Sequence, residues 1–140
     1  MRCDSAEMSC RHAVEWVRAR LGRGVSPDEI LVLGPTWADV EDLALWLADA
    51  GVPVRDLRGR GGAGAVRLST IHSAKGLDAA CVLTIGAHRA ALHGDEEQAR
   101  RLLYIAMTRA RNELCVSYYG GESRLMSELA PPADQARHDP

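Results

Sequence analysis

Phenylalanine is absent, and aromatic residues together make up 4% of the 140-residue chain, so any core must be built from aliphatic side chains. No run approaches the ~18 apolar residues of a membrane-spanning helix. The opening MRCDSAEMSC has no apolar segment of the kind that marks a secretory signal. The expectation is a cytoplasmic globular protein with no membrane partner. Cys3, Cys10, Cys81 and Cys115 show no CxxC spacing, which argues against zinc and against a disulfide framework. Cys81 and Cys115 instead fall in apolar runs, where a thiol packs as a small hydrophobe. A bulk charge is also missing, the net being −2; this is silent about nucleic acid, which can be contacted along one edge by a local patch.

Lysine is the scarcest cation. Lys75 is the only one, against sixteen arginines, and it stands just before Gly76 in the run VRLSTIHSAKGLD at 66–78. A second run, RLLYIAMTRAR at 101–111, carries Arg109. A guanidinium beside a lysine-glycine turn is chemistry suited to phosphate oxygens.

The rest of the chain reads as one domain by length, large enough to bury roughly 68–70% of its unfolded surface. Cys10, Val14, Val17 and Leu21 repeat at helical spacing and Gly22 and Gly24 follow as stop signals, predicting a helix over 5–22. Ser26-Pro27-Asp28-Glu29 is turn chemistry leading into Ile30–Leu33, a strand buried on both faces. Thr36 caps a second helix with Asp39 as its capping-box partner, Val40, Leu43, Ala44 and Leu47 form its inner face, and Gly51 ends it. The RGRGGAG stretch at 58–64 reads as loop. Strands are predicted over Val66–Ile71, Ala80–Ile85 and Glu113–Tyr119, with a helix from about Glu96 to Arg111 between the last two. Alternating helices and apolar strands predict an α/β fold with a mainly parallel sheet. Trp16, Trp37 and Trp46 read as core or boundary residues on or beside amphipathic helices rather than base-stacking platforms.

The turn Thr70–Asp78 leaves a strand, the place where open α/β sheets bind ligands. Gly76 would let backbone approach a ligand, Lys75 supplies a mobile cation and Asp78 could accept a sugar hydroxyl; a polar surface loop is the other reading of the same residues. It is not a P-loop, because the lysine precedes its glycine, so the chain alone should not hydrolyse a nucleotide. On the 96–111 helix, Arg100, Arg101 and Arg111 cluster on the solvent side. Arg109 falls at the edge of the apolar stripe, roughly 20° from Leu102, with its stem able to pack and its head able to reach a cleft. Asp95-Glu96-Glu97-Gln98 is explained by the helix macrodipole rather than as a metal-holding box, because no buried strand precedes it; no metal ligand is assigned.

Taken together, TIHSAKGLD and RRLLYIAMTRAR resemble motifs V and VI of the UvrD/Rep/PcrA-like superfamily 1 DNA helicases. The resemblance spans about residues 26–120 of a domain over 1–130, and implies a RecA-like three-layer fold, the second motor domain of an ATP-dependent helicase or translocase. It also implies ATP with Mg²⁺ bound only together with a P-loop motor domain, in the same longer chain or a separate subunit, and single-stranded DNA as the other partner. By matching position, Arg109 would be the finger on the γ-phosphate, Lys75 the motif V cation near the phosphates, Gly76 its turn and Asp78 the ribose contact. Thr70, His72 and Ser73 would lie near DNA. Two departures stand out. Pro35 occupies the place of a motif IV arginine, and only the 58–64 loop stands where larger members insert an accessory domain. An alternative is a helicase-derived module that binds DNA or protein without turnover. Residues 131–140, after Pro131-Pro132, read as a disordered tail.

Overall fold

In a computed structural model, the described residues are 2–3, 6–56, 63–74, 76–85, 100–101, 104–105, 107–116 and 118–119. The chain opens with β1 (Arg2–Cys3) and α1 (Ala6–Gly22). Val14 and Val17 of α1 are buried, with Cys10 and Leu21 packed against the same core. The helix stops where the glycines predict. Gly24 takes φ 90, and the Val25 N–H donates to the Arg20 carbonyl at 3.1 Å, satisfying an orphan acceptor of the last turn.

A 3-10 turn at Pro27–Glu29 leads into β2 (Ile30–Gly34), buried at every position. The second helix, α2 (Trp37–Asp49), begins at Thr36, whose hydroxyl oxygen accepts from the Asp39 N–H at 3.3 Å and donates to the Asp39 carboxylate at 2.7 Å. Gly51 closes α2 with φ 79, and the Val52 N–H reaches back to the Leu47 carbonyl at 2.9 Å. Four further strands follow: β3 (Val54–Asp56), β4 (Val66–Thr70), β5 (Ala79–Thr84) and β6 (Ala110–Val116). They join β2 in a five-stranded sheet ordered β3-β4-β2-β5-β6 with every pair parallel. A last strand, β7 (Tyr118–Tyr119), pairs in parallel with β1.

The core lies on both faces of β2. Ile30 and Val32 pack with Val66, Leu68, Cys81 and Leu83 and meet Val40, Leu43 and Leu47 of α2 and Val14 and Val17 of α1. Leu31, Leu33 and Val82 alternate onto the opposite face and are equally shut from solvent, which is the signature of a parallel sheet covered on both sides. Trp16 is buried, while Trp37 and Trp46 flank the core. This is the mainly parallel, helix-flanked sheet of a RecA-like domain.

Two boundaries differ from the pattern-based expectation. Residues 100, 101, 104, 105 and 107 are helical, but 108–109 form a turn and β6 already begins at Ala110. The apolar stripe ran on to Ala110 only because alanine fits either state; pairing with β5, sealed by the Ala79 N–H on the Arg109 carbonyl at 3.0 Å, extracts these residues from the helix. Arg111 is therefore a strand residue. The three-residue β3 carried no apolar alternation to reveal it and exists because β4 offers it an edge. The 86–99 segment, the 57–62 part of the glycine-rich loop and the 131–140 tail lie outside the described residues.

An ion-pair cluster fastens α1 to β6. Glu113 of β6 accepts from Arg20, whose guanidinium also stacks 4.3 Å over the Trp16 ring, and from Arg23 at 3.1 Å. Arg20 hydrogen bonding, followed by the Arg23 contact, holds the Glu113 carboxyl below its ordinary range against the opposing effect of burial. A depressed carboxylate stabilises the fold above its unfolded pKa and loses that contribution as pH falls toward the folded value. Glu113→Gln is expected to cost about 1–2 kcal/mol near neutral pH, and the gap in Tm between the variant and the parent should close as pH drops below about 4. A gap independent of pH in thermal melts would contradict the assignment.

Candidate functional site

Because β4 and β5 both run parallel to β2 from opposite sides, the chain between them must travel from the C-terminal edge of the sheet back to the N-terminal edge. Residues 71–78 make that crossing. The Ile71 N–H donates to the Gly34 carbonyl at 3.0 Å, a 3-10 turn covers His72–Ala74, and the Leu77 N–H closes onto the Ala74 carbonyl at 3.1 Å. Ile71 and Ala74 are buried. Gly76 takes φ 81 with nothing within 4 Å of where a Cβ would stand, so glycine is required there by backbone conformation and not by crowding.

The crossing splits one sequence motif between two edges. Thr70, His72 and Ser73 stand at the C-terminal edge. Thr70 is 5% exposed and its hydroxyl oxygen accepts from the Ser73 N–H at 3.2 Å, which shapes the turn; His72 and Ser73 are exposed. Pro35 follows β2 at that same edge. Asp78 arrives at the N-terminal edge, where Arg67 donates to its carbonyl at 2.7 Å. Lys75 lies outside the described residues.

Arg109 meets Asp78 at this second edge through the Ala79 N–H bond to the Arg109 carbonyl. The Arg109 side chain is half-buried; one terminal nitrogen lies 3.3 Å from the Thr108 hydroxyl, while its Nε is buried without a hydrogen-bond partner. Glu29 sits between the strands. Its Oε2 accepts from the Ala80 N–H at 3.1 Å and from the Arg111 guanidinium, whose Nε lies 3.9 Å from the Asp78 carboxylate. Arg55 and Arg67 face each other across β3 and β4. Burial first and the Arg55 charge second push the Arg67 pKa down, with Asp78 and Asp28 opposing.

Glu29, Arg67 and Arg111 were not singled out by sequence. Glu29 read as turn, Arg67 as strand and Arg111 as a solvated helix face, and no spacing rule connects positions 29, 67 and 111. As for a nucleotide, a half-buried guanidinium and an exposed carboxylate just before the adjoining strand are groups of the kind that a phosphate and a ribose hydroxyl need. Among the described residues no group of three His, Cys, Asp or Glu side chains is placed to hold a metal ion.

Residues 65–117 match the UvrD-like helicase C-terminal domain. The chain is 42% identical to the ATP-dependent DNA helicase Rep of Buchnera aphidicola subsp. Schizaphis graminum, over 46% of this chain and 12% of that protein. It is 38% identical to a probable DNA helicase II homolog of Mycoplasma capricolum, over 47% of this chain and 10% of that one. It thus spans about a tenth of the length of these relatives. In fold it resembles the C-terminal domain of a possible DNA helicase from Lactobacillus plantarum WCFS1, with TM-score 0.77 and 22% identity over 92% of this chain and 78% of the other. The helicase domain of Pyrococcus furiosus Hef matches at TM-score 0.57 and 15% identity, over 87% of this chain and 27% of that one. Over residues 65–117 the chain is thus similar to the UvrD-like helicase C-terminal domain, and its fold is that of the helicase C-terminal domain structure from Lactobacillus plantarum. No helix among the described residues is long and apolar enough to cross a membrane.

Gly76→Ala should destabilise by about 1 kcal/mol, the cost of a Cβ at positive φ, and Gly76→Asn should cost less. Denaturant melts check the order; an alanine variant as stable as the parent would contradict the conformational argument.

Proposed function

We propose that this chain is the C-terminal motor domain of an ATP-dependent DNA helicase or translocase, lending one side of an ATP site whose P-loop side belongs to a separate motor domain. The observation that carries the reading is Arg109: a half-buried guanidinium fixed by its carbonyl to the strand that begins beside Asp78. In this reading Arg109 donates to the γ-phosphate, where negative charge grows as the terminal phosphate leaves. Such donors, fixed in advance, stabilise the transition state more than the ground state. Lys75 adds a second positive charge near the phosphates, Gly76 permits close backbone approach, and Asp78 accepts from a ribose hydroxyl. ATP with Mg²⁺ supplies the transferable phosphoryl group, and the metal is held by the phosphates and the P-loop domain.

His72 and Ser73, with Thr70 holding their turn, contact single-stranded DNA at the other sheet edge. The two sets are joined by the 71–78 crossing, so a shift at one end is transmitted along a short, hydrogen-bonded segment to the other. This is a physical route by which DNA occupancy could set the position of Asp78 and Arg109.

A module without turnover is the second reading, favoured by Pro35 at the place of a phosphate-facing arginine. One experiment separates them. Combined with its P-loop domain, the chain should give DNA-stimulated ATP hydrolysis, and Arg109→Ala should lower turnover about 10³-fold with an unchanged circular dichroism spectrum. Absence of any stimulated turnover in the parent would favour the binding module; full turnover in the variant would remove the finger assignment. In the same assay His72→Ala should weaken single-stranded DNA binding while leaving its hydrolysis at saturating DNA nearly unchanged.

A further inference from the structure

Glu29 lies outside both motifs that the sequence singles out and Arg111 is the last residue of the second, yet their ion pair meets the segment before β5 and the start of β6 together. Glu29 precedes β2, Ala80 lies at the start of β5 and Arg111 lies two residues beyond Arg109. One carboxylate oxygen accepts from both the Ala80 N–H and the Arg111 guanidinium. Arg111 also faces the Asp78 carboxylate at 3.9 Å, and Ala79, between Asp78 and Ala80, bonds the Arg109 carbonyl. The links run in a closed loop from residue 29 to 80, 79, 109 and 111, and back to 29.

Stability does not explain the pair. The side chains of Glu29 and Arg111 are 42% and 51% exposed, and exposed ion pairs contribute little to folding because water screens them and two long side chains must be ordered. Position does explain it. Among the described residues the turns before β5 and β6 carry the Leu77 N–H bond to the Ala74 carbonyl and the Thr108 N–H bond to the Tyr104 carbonyl, and the Arg109 turn is held to the sheet by its own carbonyl, by the pairing of Ala110 with Ala79 and by whatever fixes Arg111.

We infer that Glu29 and Arg111 are positioning residues for the phosphate-facing end of the domain: their ion pair sets the height and orientation of the turn carrying Arg109, and the placement of Asp78 beside it. This rests on the finger reading of Arg109 given above. Glu29 touches no substrate; it acts through Arg111 and the Ala80 amide. A displacement of the order of 1 Å at a reacting group can cost about 10²-fold in rate, so a bond too weak to matter for folding can matter for turnover.

The test uses the complete motor, this domain with its P-loop partner, and the variants Glu29→Gln, Arg111→Gln and their double. Glutamine at 29 keeps an acceptor for the Ala80 N–H and removes the charge-assisted bond to Arg111. Each single variant should lower kcat for DNA-stimulated ATP hydrolysis by about ten- to a hundredfold, and the double should fall no further than the worse single, since both break one bond. Tm should move by less than about 4 °C. In the isolated chain, hydrogen exchange at the Ala79 amide should quicken in both single variants, while exchange within β2 stays unchanged. Glu7→Gln, which removes an exposed pair with Arg11 on α1, is the charge control and should leave kcat unaltered. Parental kcat in Glu29→Gln, alongside a collapsed Arg109→Ala, would overturn this inference and leave the finger reading standing. Additive losses in the double would overturn it too, because the two residues would then act separately. Full turnover in Arg109→Ala would remove the finger reading and this inference with it.

Discussion

A central strand with parallel partners on both sides cannot be joined to either by a tight turn, and Ile30–Gly34 is such a strand. Each connection must cross the sheet from one edge to the other. For α2 and the segment behind it, the crossing buries an apolar helix face. For residues 71–78 it is made with eight residues and one 3-10 turn, and that economy places two kinds of chemistry at opposite ends of a single short segment. Hydroxyls and an imidazole remain at the C-terminal edge. A carboxylate and, through strand pairing, an arginine gather at the N-terminal edge. The pairing of β2 thus fixes the fold and also divides the candidate site.

Polar groups tie the N-terminal edge of the sheet together. Arg67 ties the end of the crossing to β4 by a bond to the Asp78 carbonyl, and Glu29 and Arg111 link the first residues of β5 and β6. Each bond is individually modest. Their common feature is that they end within two residues of Asp78 or Arg109, whereas the Glu113 cluster with Arg20 and Arg23 fastens helix to strand. The two sets overlap in exposure: Arg20 and Glu113 are 19% and 32% exposed but Arg23 is 58%, against 42%, 51% and 67% for Glu29, Arg111 and Asp78, so position rather than burial separates them.

Similarity to whole helicases extends over about a tenth of their length, and the match to the UvrD-like helicase C-terminal domain covers residues 65–117. That window holds the crossing, Arg109 and β6, but excludes Glu29. The first helix, β2 and α2 are conventional packing around the window: a continuous aliphatic strand, two amphipathic helices and their caps. In the proposed reading, function rests on a few side chains brought to an edge, while most of the sequence keeps that edge in place.

Much was legible without coordinates. The Ile30–Leu33 run, the Thr36 cap, the Gly51 stop, the helical repeat through Val14 and Val17, and the motifs around Gly76 and Arg109 are local signals, set by backbone geometry and side-chain periodicity within a few residues. They were enough for the α/β class, most element positions and the helicase resemblance. Only the tertiary structure decided where the last helix gives way to β6, since alanine at 110 satisfies either state until β5 pairs with it. It alone revealed β3, whose three residues need the neighbour's edge, and that Thr70 turns its hydroxyl inward while His72 and Ser73 face water. It also brought Glu29, Arg67 and Arg111 to the start of β5, because parallel strand order, a contact between residues tens of positions apart, determines which side chains share an edge, and no local pattern encodes that order.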